Sequence, residues 1–276
     1  MANVIISKTQ LEIAAAHAHL ASHVYFREPD RPPRGGWQVV ATSDELMPGK
    51  RAFFGALYTR ENCKTGEKEY AVAFRGTDGD DLKSNFMIAV GRLPSQFKDA
   101  LAFTKLAAEK ANVPMNNISL TGHSLGGYLA RTVGRVLDVK KVWAFSSPGP
   151  CKKTKEALEK LAPTALPNDK IVHIHSRHDI ISLLGTSEKI QLELNTSEQH
   201  HAINKIRNHL ANMLKGSNAP QIPLNRKVGL LERAFNAVSK PLAAGVHLVR
   251  SITNLNKYKQ PPRPAFQLAP AGLGGK

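Results

Sequence analysis

Apolar and polar positions recur along the chain with two periods, and the switches between them outline its elements. Residues 9–25 place Leu11, Ala14, Ala15, Ala18 and Val24 at helical spacing, which predicts an amphipathic helix. A loop rich in Pro and Gly follows over 28–36. The stretch "GWQVVAT" (36–42) reads as a strand, and residues 50–76 as a hairpin whose two β-rich runs meet at a polar turn around Thr65 and Gly66. Phe97, Ala100, Leu101, Thr104 and Ala108 return to helical spacing over 95–111. After them come the short strand "NISLT" (117–121), a glycine turn and a helix over 125–137. Two apolar runs, "KKVWAFSSPG" (140–149) and "KIVHIHSRHD" (170–179), read as buried strands. This alternation predicts a mostly parallel sheet flanked by helices, an α/β fold.

Beyond residue 215 the pattern changes. A breaker-rich linker (216–225) leads into two basic amphipathic stretches, 226–240 and 242–255, parted at Pro241. The expected organisation is an α/β domain over 1–215, the linker, a basic helical appendage over 226–258, and a Pro/Gly-rich tail over 259–276 that stays extended or disordered. Charge sharpens this division. The net charge is +16, and from Lys205 to Lys276 twelve Lys or Arg face a single acid, Glu232. Such a block favours an anionic surface, and charge alone does not choose between membrane, nucleic acid and acidic protein.

Composition sets outer bounds. With 276 residues, 42% apolar and 22% charged, the chain suits a folded globular protein. No apolar run approaches the roughly 18 residues of a spanning helix, and the first twenty residues lack the basic-then-apolar layout of a signal peptide. The expectation is a cytoplasmic protein, or one exported by a signal-independent secretion system. Only Cys63 and Cys151 are present, which excludes a disulfide framework. No Cys/His spacing resembles a zinc site, so neither metal nor cofactor is expected.

The candidate chemistry centres on "ISLTGHSLGGYLA" (118–130), where Ser124 stands between Gly122 and Gly126. A G-x-S-x-G pattern that follows a strand and opens a helix is the nucleophile-elbow arrangement. Its glycines remove side chains that would collide across a tight turn. The Leu125 N–H then lies at a helix N-terminus, where a developing oxyanion is stabilised. The competing reading is a plain strand-to-helix turn.

A second segment, "AVAFRGTD" (71–78), ends an apolar strand in Phe74-Arg75-Gly76-Thr77. Taken in order, "FRGT", "DLKSNF" and "GHSLGG" resemble the class 3 lipase family of α/β-hydrolases over roughly residues 50–210. The resemblance implies a first oxyanion donor at Thr77 and a second at Leu125. Asp81 and Asn85 match the family's D-x-x-x-N-F run, while Leu82 replaces its usual Trp. It also places Phe86–Val90 near an acyl-binding cleft, as cleft wall or lid, with ordinary core packing as the alternative.

A nucleophilic serine needs a base, and the base an orienting acid, which this fold supplies in the order Ser, Asp, His. Asp179, at the end of an apolar strand, is the favoured acid. Asp138 follows the elbow helix and reads as a cap or solvated residue, and Asp169 precedes its strand. For the base, His200 and His201 sit on a loop before a helix, the placement the family uses, and His201 is preferred. His209 falls inside that helix and His247 in the basic appendage. Of the remaining histidines, His17, His19 and His23 lie along one helix without the partners a metal site needs, and His173 and His175 share a strand face as packed or hydrogen-bonded residues; His178 precedes Asp179 and so falls outside the family's histidine position, and His123 is the variable residue of the elbow.

Together these features imply a serine hydrolase acting on carboxylic esters of lipids, a lipase or phospholipase A. Peripheral contact with an anionic membrane is expected through the basic region. The alternatives are a soluble short-chain carboxylesterase and a catalytically silent fold that binds an anionic surface. The basic region holds only Phe235, Tyr258 and Phe266 as aromatics, so no RNA-stacking platform and no specific nucleic-acid partner is expected.

Overall fold

A computed structural model describes residues 3–5, 7–27, 32–50, 52–77, 93–162, 168–177, 179–188, 190–194, 201–216 and 221–223. Nine strands and six α-helices occur among them. In chain order they are β1 (Asn3–Ile5), α1 (Lys8–His23), β2 (Gln38–Thr42), α2 (Ser43–Leu46), β3 (Gly55–Glu61), β4 (Lys68–Phe74) and α3 (Phe97–Ala111). Then follow β5 (Ile118–His123), α4 (Leu125–Val133), β6 (Lys141–Phe145), α5 (Lys152–Leu161), β7 (Ile171–Ser176), β8 (Ile190–Leu194), α6 (Ile203–Lys215) and β9 (Gln221–Pro223).

Seven strands form one sheet in the order β2-β3-β4-β5-β6-β7-β8. The β2–β3 and β3–β4 pairs are antiparallel, and every pair from β4 to β8 is parallel. This is the α/β-hydrolase architecture expected from the sequence. The β3–β4 hairpin closes at Gly66, whose φ of 71° suits a residue without Cβ and whose N–H donates to Asn62 O at 2.7 Å. A separate two-stranded antiparallel pair joins β1 to β9, so three residues of the stretch read as a linker are extended and paired. Residues 224–276, which include the basic appendage and tail, and residues 78–92, which include the Phe86–Val90 run, lie outside the described residues.

Pleating distributes the core between two faces, because successive side chains on a strand point to opposite sides. Ala71 and Ala73 of β4 join Leu20 of α1 and its C-cap Val24, whereas Phe74 meets Phe53, which in turn meets Phe103 of α3 edge-on. Further along the sheet, Trp143, Phe145, Ile174 and Leu192 pack with Leu11, Ala14 and Ala18 of α1 and with Ile206 and Leu210 of α6. Helix α1 starts one residue before the predicted helix. Ser7 caps it by accepting from Gln10 N at 3.2 Å, while the Gln10 side chain accepts from Ser7 N.

Some elements carry a weak sequence signal. Helix α5 has only Ala157, Leu158 and Leu161 as apolar residues among Lys, Glu and Thr, and β8 is five residues long. The elbow helix ends at Val133 instead of 137, where Gly134 is its C-cap. Among the described residues no helix is long and apolar enough to cross a membrane.

Candidate active site

Strand β5 runs through the middle of the sheet, between β4 and β6, and delivers Ser124 at its carboxyl end. Ser124 takes φ 57° and ψ −124°, a conformation that costs a non-glycine residue on the order of 1–3 kcal/mol. Its surroundings hold it there. The Ser124 N–H donates to Phe145 O and the Ser124 carbonyl accepts from Tyr128 N, each at 3.0 Å. A Cβ on Gly122 would lie 2.3 Å from the Gly126 carbonyl carbon, and one on Gly126 would lie 2.0 Å from Phe74 O. Both glycines of the motif are thus needed for the chain to pass itself. Gly127 is the third, since its Cβ would fall 2.6 Å from Ser147 Cβ.

Three predicted residues meet at this turn. His201 Nε2 lies 2.9 Å from Ser124 Oγ, and His201 Nδ1 lies 3.1 and 3.2 Å from the two carboxylate oxygens of Asp179. A carboxylate only accepts, so Nδ1–H donates to Asp179 and the bare Nε2 accepts from the serine hydroxyl. Asp179 is 3% exposed. Burial alone would raise its carboxyl, but the hydrogen bond and charge of His201 and the hydrogen bond from Ser182 outweigh it and hold the group below its ordinary value. Ser182 Oγ donates to Oδ2 at 2.5 Å and Ile181 N to Oδ1 at 3.1 Å. The carboxylate is therefore ionised and fixed from several sides.

Thr77 and Leu125 line one cavity of about 280 Å³, together with Phe53, Arg75, Gln96 and Leu129. Thr77 lies three residues beyond the end of β4, whose Phe74 pairs with Gly122 of β5, and Leu125 is the first residue of α4. Gly76 permits this approach, as a Cβ there would lie 2.3 Å from the Tyr25 hydroxyl and 2.7 Å from His123 O.

The rival acids lie elsewhere. Asp138 sits between α4 and β6 and Asp169 immediately before β7, so both stand at the amino ends of parallel strands, away from Ser124. His209 is part of α6, partly buried, and burial lowers its imidazole. His178, His200 and His247 fall outside the described residues. Among the described residues no group of three or more His, Cys, Asp or Glu side chains is arranged to hold a metal ion.

Sequence reasoning missed several residues that shape this end of the sheet. Glu188, almost fully buried, receives Arg131 Nε at 2.8 Å and Arg135 Nη2 at 2.5 Å. Arg131 also donates to Ser147 O and Thr186 O, clamping the loops that follow β6 and β7. The two guanidinium groups overcome the burial that would raise the Glu188 carboxyl and keep it low. His173 and His175 stack at 4.9 Å between ring centroids; His173 Nε2 accepts from Ser147 N, and His175 pairs with Gln191. His123 engages both of its ring nitrogens, one with the Tyr25 hydroxyl and one with the His201 carbonyl. Arg131, Arg135 and Glu188 carry no local motif, because the partners are 53 and 57 residues apart.

Residues 16–225 match the family model described as a Tle-like phospholipase domain. Among curated proteins, phospholipase A1 2 of Vespa affinis is 29% identical over 156 residues, covering 54% of this chain and 37% of that protein. Phospholipase A1 of Polybia paulista is 30% identical over 107 residues, covering 37% of this chain and 33% of that protein. The chain therefore spans about a third of the length of these relatives. The extracellular lipase LipA from Serratia marcescens aligns at 16% identity and a TM-score of 0.30, over 52% of this chain and 27% of that one. The motifs around Thr77 and Ser124 and the long family match agree: the chain is class 3 lipase-like and belongs to the Tle-like phospholipase domain family.

Proposed function

We propose that the chain hydrolyses carboxylic esters of lipids by acyl transfer to Ser124. The observation that carries this reading is the 2.9 Å contact between Ser124 Oγ and His201 Nε2, with Asp179 on the other ring nitrogen. His201 Nε2 takes the hydroxyl proton as Oγ attacks the ester carbonyl. The oxyanion of the tetrahedral intermediate is held by the main-chain N–H groups of Thr77 and Leu125, each contributing about 3 kcal/mol. The imidazolium then protonates the alcohol oxygen, the C–O bond breaks and the alcohol leaves. Water attacks the acyl-enzyme with His201 again as base, releasing the fatty acid and restoring the serine. Asp179 keeps the base in its Nδ1–H tautomer and stabilises the imidazolium.

A phospholipid is the favoured substrate. The family match and the named wasp phospholipases support it, as does the excess of twelve basic residues over one acid from Lys205 onward, which suits an anionic lipid surface. The test is fatty-acid release from phospholipid vesicles, triacylglycerol emulsion and a short soluble ester, with Ser124→Ala alongside. Wild-type release fastest from phospholipid, absent in the variant, is expected. Release confined to the short ester would make it a carboxylesterase, and no release from any of them would leave a silent hydrolase fold.

A further inference from the structure

His123 fills the variable position of the elbow, yet both of its ring nitrogens are committed. Nδ1 lies 2.8 Å from the Tyr25 hydroxyl, just past the end of α1. Nε2 lies 2.5 Å from the main-chain carbonyl oxygen of His201. A carbonyl oxygen only accepts, so the proton is on Nε2. In a neutral imidazole Nδ1 is then bare and accepts from the Tyr25 hydroxyl. Burial first, and the nearby His201 second, press the His123 imidazole down to about 3, so it is neutral wherever esters are hydrolysed. With no free nitrogen, it has no way to receive the Ser124 proton itself.

What it holds matters more. His201 lies outside β8 and α6, two residues before the helix begins, so neither a strand ladder nor a helix fixes its backbone. Its side chain must nevertheless span Ser124 and Asp179 at hydrogen-bond distance. We propose that His123 is a positioning residue for His201: its Nε2–H, in the tautomer that the His201 carbonyl selects and the Tyr25 hydroxyl accommodates, pins the main chain of the base in register with Ser124. The same pair occupies the opposite side of the site, because the Tyr25 hydroxyl and His123 O fill the space that a Cβ on Gly76, next to Thr77, would take. One tyrosine–histidine pair, the tyrosine partly buried and the histidine buried, thus ties the segment after α1, the elbow, the β4 turn and the base's loop together. A misplacement of about 1 Å at such a centre costs on the order of 10²-fold in rate.

This inference rests on His201 being the base, and the experiments separate the two claims. In the full chain labelled with ¹⁵N-histidine, NMR across the neutral range should find His123 as the Nε2–H tautomer. A dominant Nδ1–H form overturns the proposal, whatever the activity. Two substitutions then split the hydrogen bonds. Asparagine places its oxygen near Nδ1 and loses the donor to His201, whereas glutamine places an amide N–H near Nε2 and loses the acceptor for Tyr25. His123→Asn should lower kcat by roughly 10²-fold with little change in KM, and His123→Gln should recover at least about tenfold of that loss. Equal losses in both at unchanged melting temperature, or an effect confined to KM, would overturn the proposal. Should either variant fail to fold, Tyr25→Phe supplies the check: His123 should stay Nε2–H while its bare Nδ1 resonance shifts on losing the hydroxyl donor and kcat falls several-fold, and an unshifted Nδ1 resonance contradicts the contact. Retained turnover in His201→Ala would instead remove the base assignment and leave the tautomer result standing.

Discussion

Gly126 and Phe74 touch so closely that a Cβ on the glycine would lie 2.0 Å from the Phe74 carbonyl oxygen. The contact joins the first turn of α4 to the end of β4, and so sets the Ser124 elbow against the strand that leads to Thr77. Gly126→Ala must therefore push backbone from backbone, with no flexible side chain to give way. Overpacking of this kind costs about 1–3 kcal/mol and occasionally more. A drop of several degrees in melting temperature together with lost turnover is expected, and an unchanged melting temperature would contradict the close approach.

Removal of the base should separate chemistry from stability. His201→Ala is expected to lower kcat by several orders of magnitude, and His200→Ala far less. Asp179→Asn should also be severe, since an amide that donates toward Nδ1 favours the wrong tautomer of His201. Steady-state kinetics on a soluble ester checks all three, and a larger loss in His200→Ala would transfer the role of base to His200.

Much of this was legible in the chain. The elbow announces itself through Gly122, Ser124 and Gly126 because the steric demand is local and falls within five residues. That Asp179 and His201 would meet Ser124 was reachable because the chain order of serine, strand-end carboxylate and loop histidine is itself a constraint. His123 and Tyr25 were not, since a histidine inside a motif carries no sign that its two nitrogens meet groups 98 and 78 residues away. The same holds for α5, whose polar sequence gives a helix no apolar stripe to read. The β1–β9 pair was hidden in a stretch of breaker residues, where three residues per strand leave no period to count.

Buried neutral imidazoles predict an acid-sensitive fold. Burial lowers His17 to about 4 and His123 to about 3, against an ordinary 6.5. Between those values and about 6.5 the unfolded chain binds protons that the folded chain refuses, so stability falls as the pH falls. Near pH 5 the two together should give a slope of about 2.7 kcal/mol per pH unit, at about 1.4 for each. Denaturant titrations at pH 7 and pH 5 measure it, and equal stabilities at the two would contradict the neutral burial of these rings.

The basic C-terminal region should serve attachment and not chemistry. Truncation after residue 225 retains the β9 strand and removes residues 226–276. Hydrolysis of a soluble short-chain ester should be nearly unchanged, while binding to anionic vesicles weakens. Binding of the full chain should also fall as salt rises, because each Lys or Arg near the surface contributes only about 1 kcal/mol and is screened. Loss of soluble-ester activity on truncation would show that the segment supports the catalytic domain.

The Ser124 hydroxyl is proposed as the nucleophile, activated by His201. A fluorophosphonate probe phosphonylates a serine only where a base and an oxyanion site are assembled around it. Mass spectrometry of the labelled full-length protein should find a single adduct, on Ser124, formed at neutral pH and absent in Ser124→Ala and His201→Ala of unchanged melting temperature. An unlabelled wild type, or an adduct on another serine, would contradict the assignment of Ser124 as nucleophile.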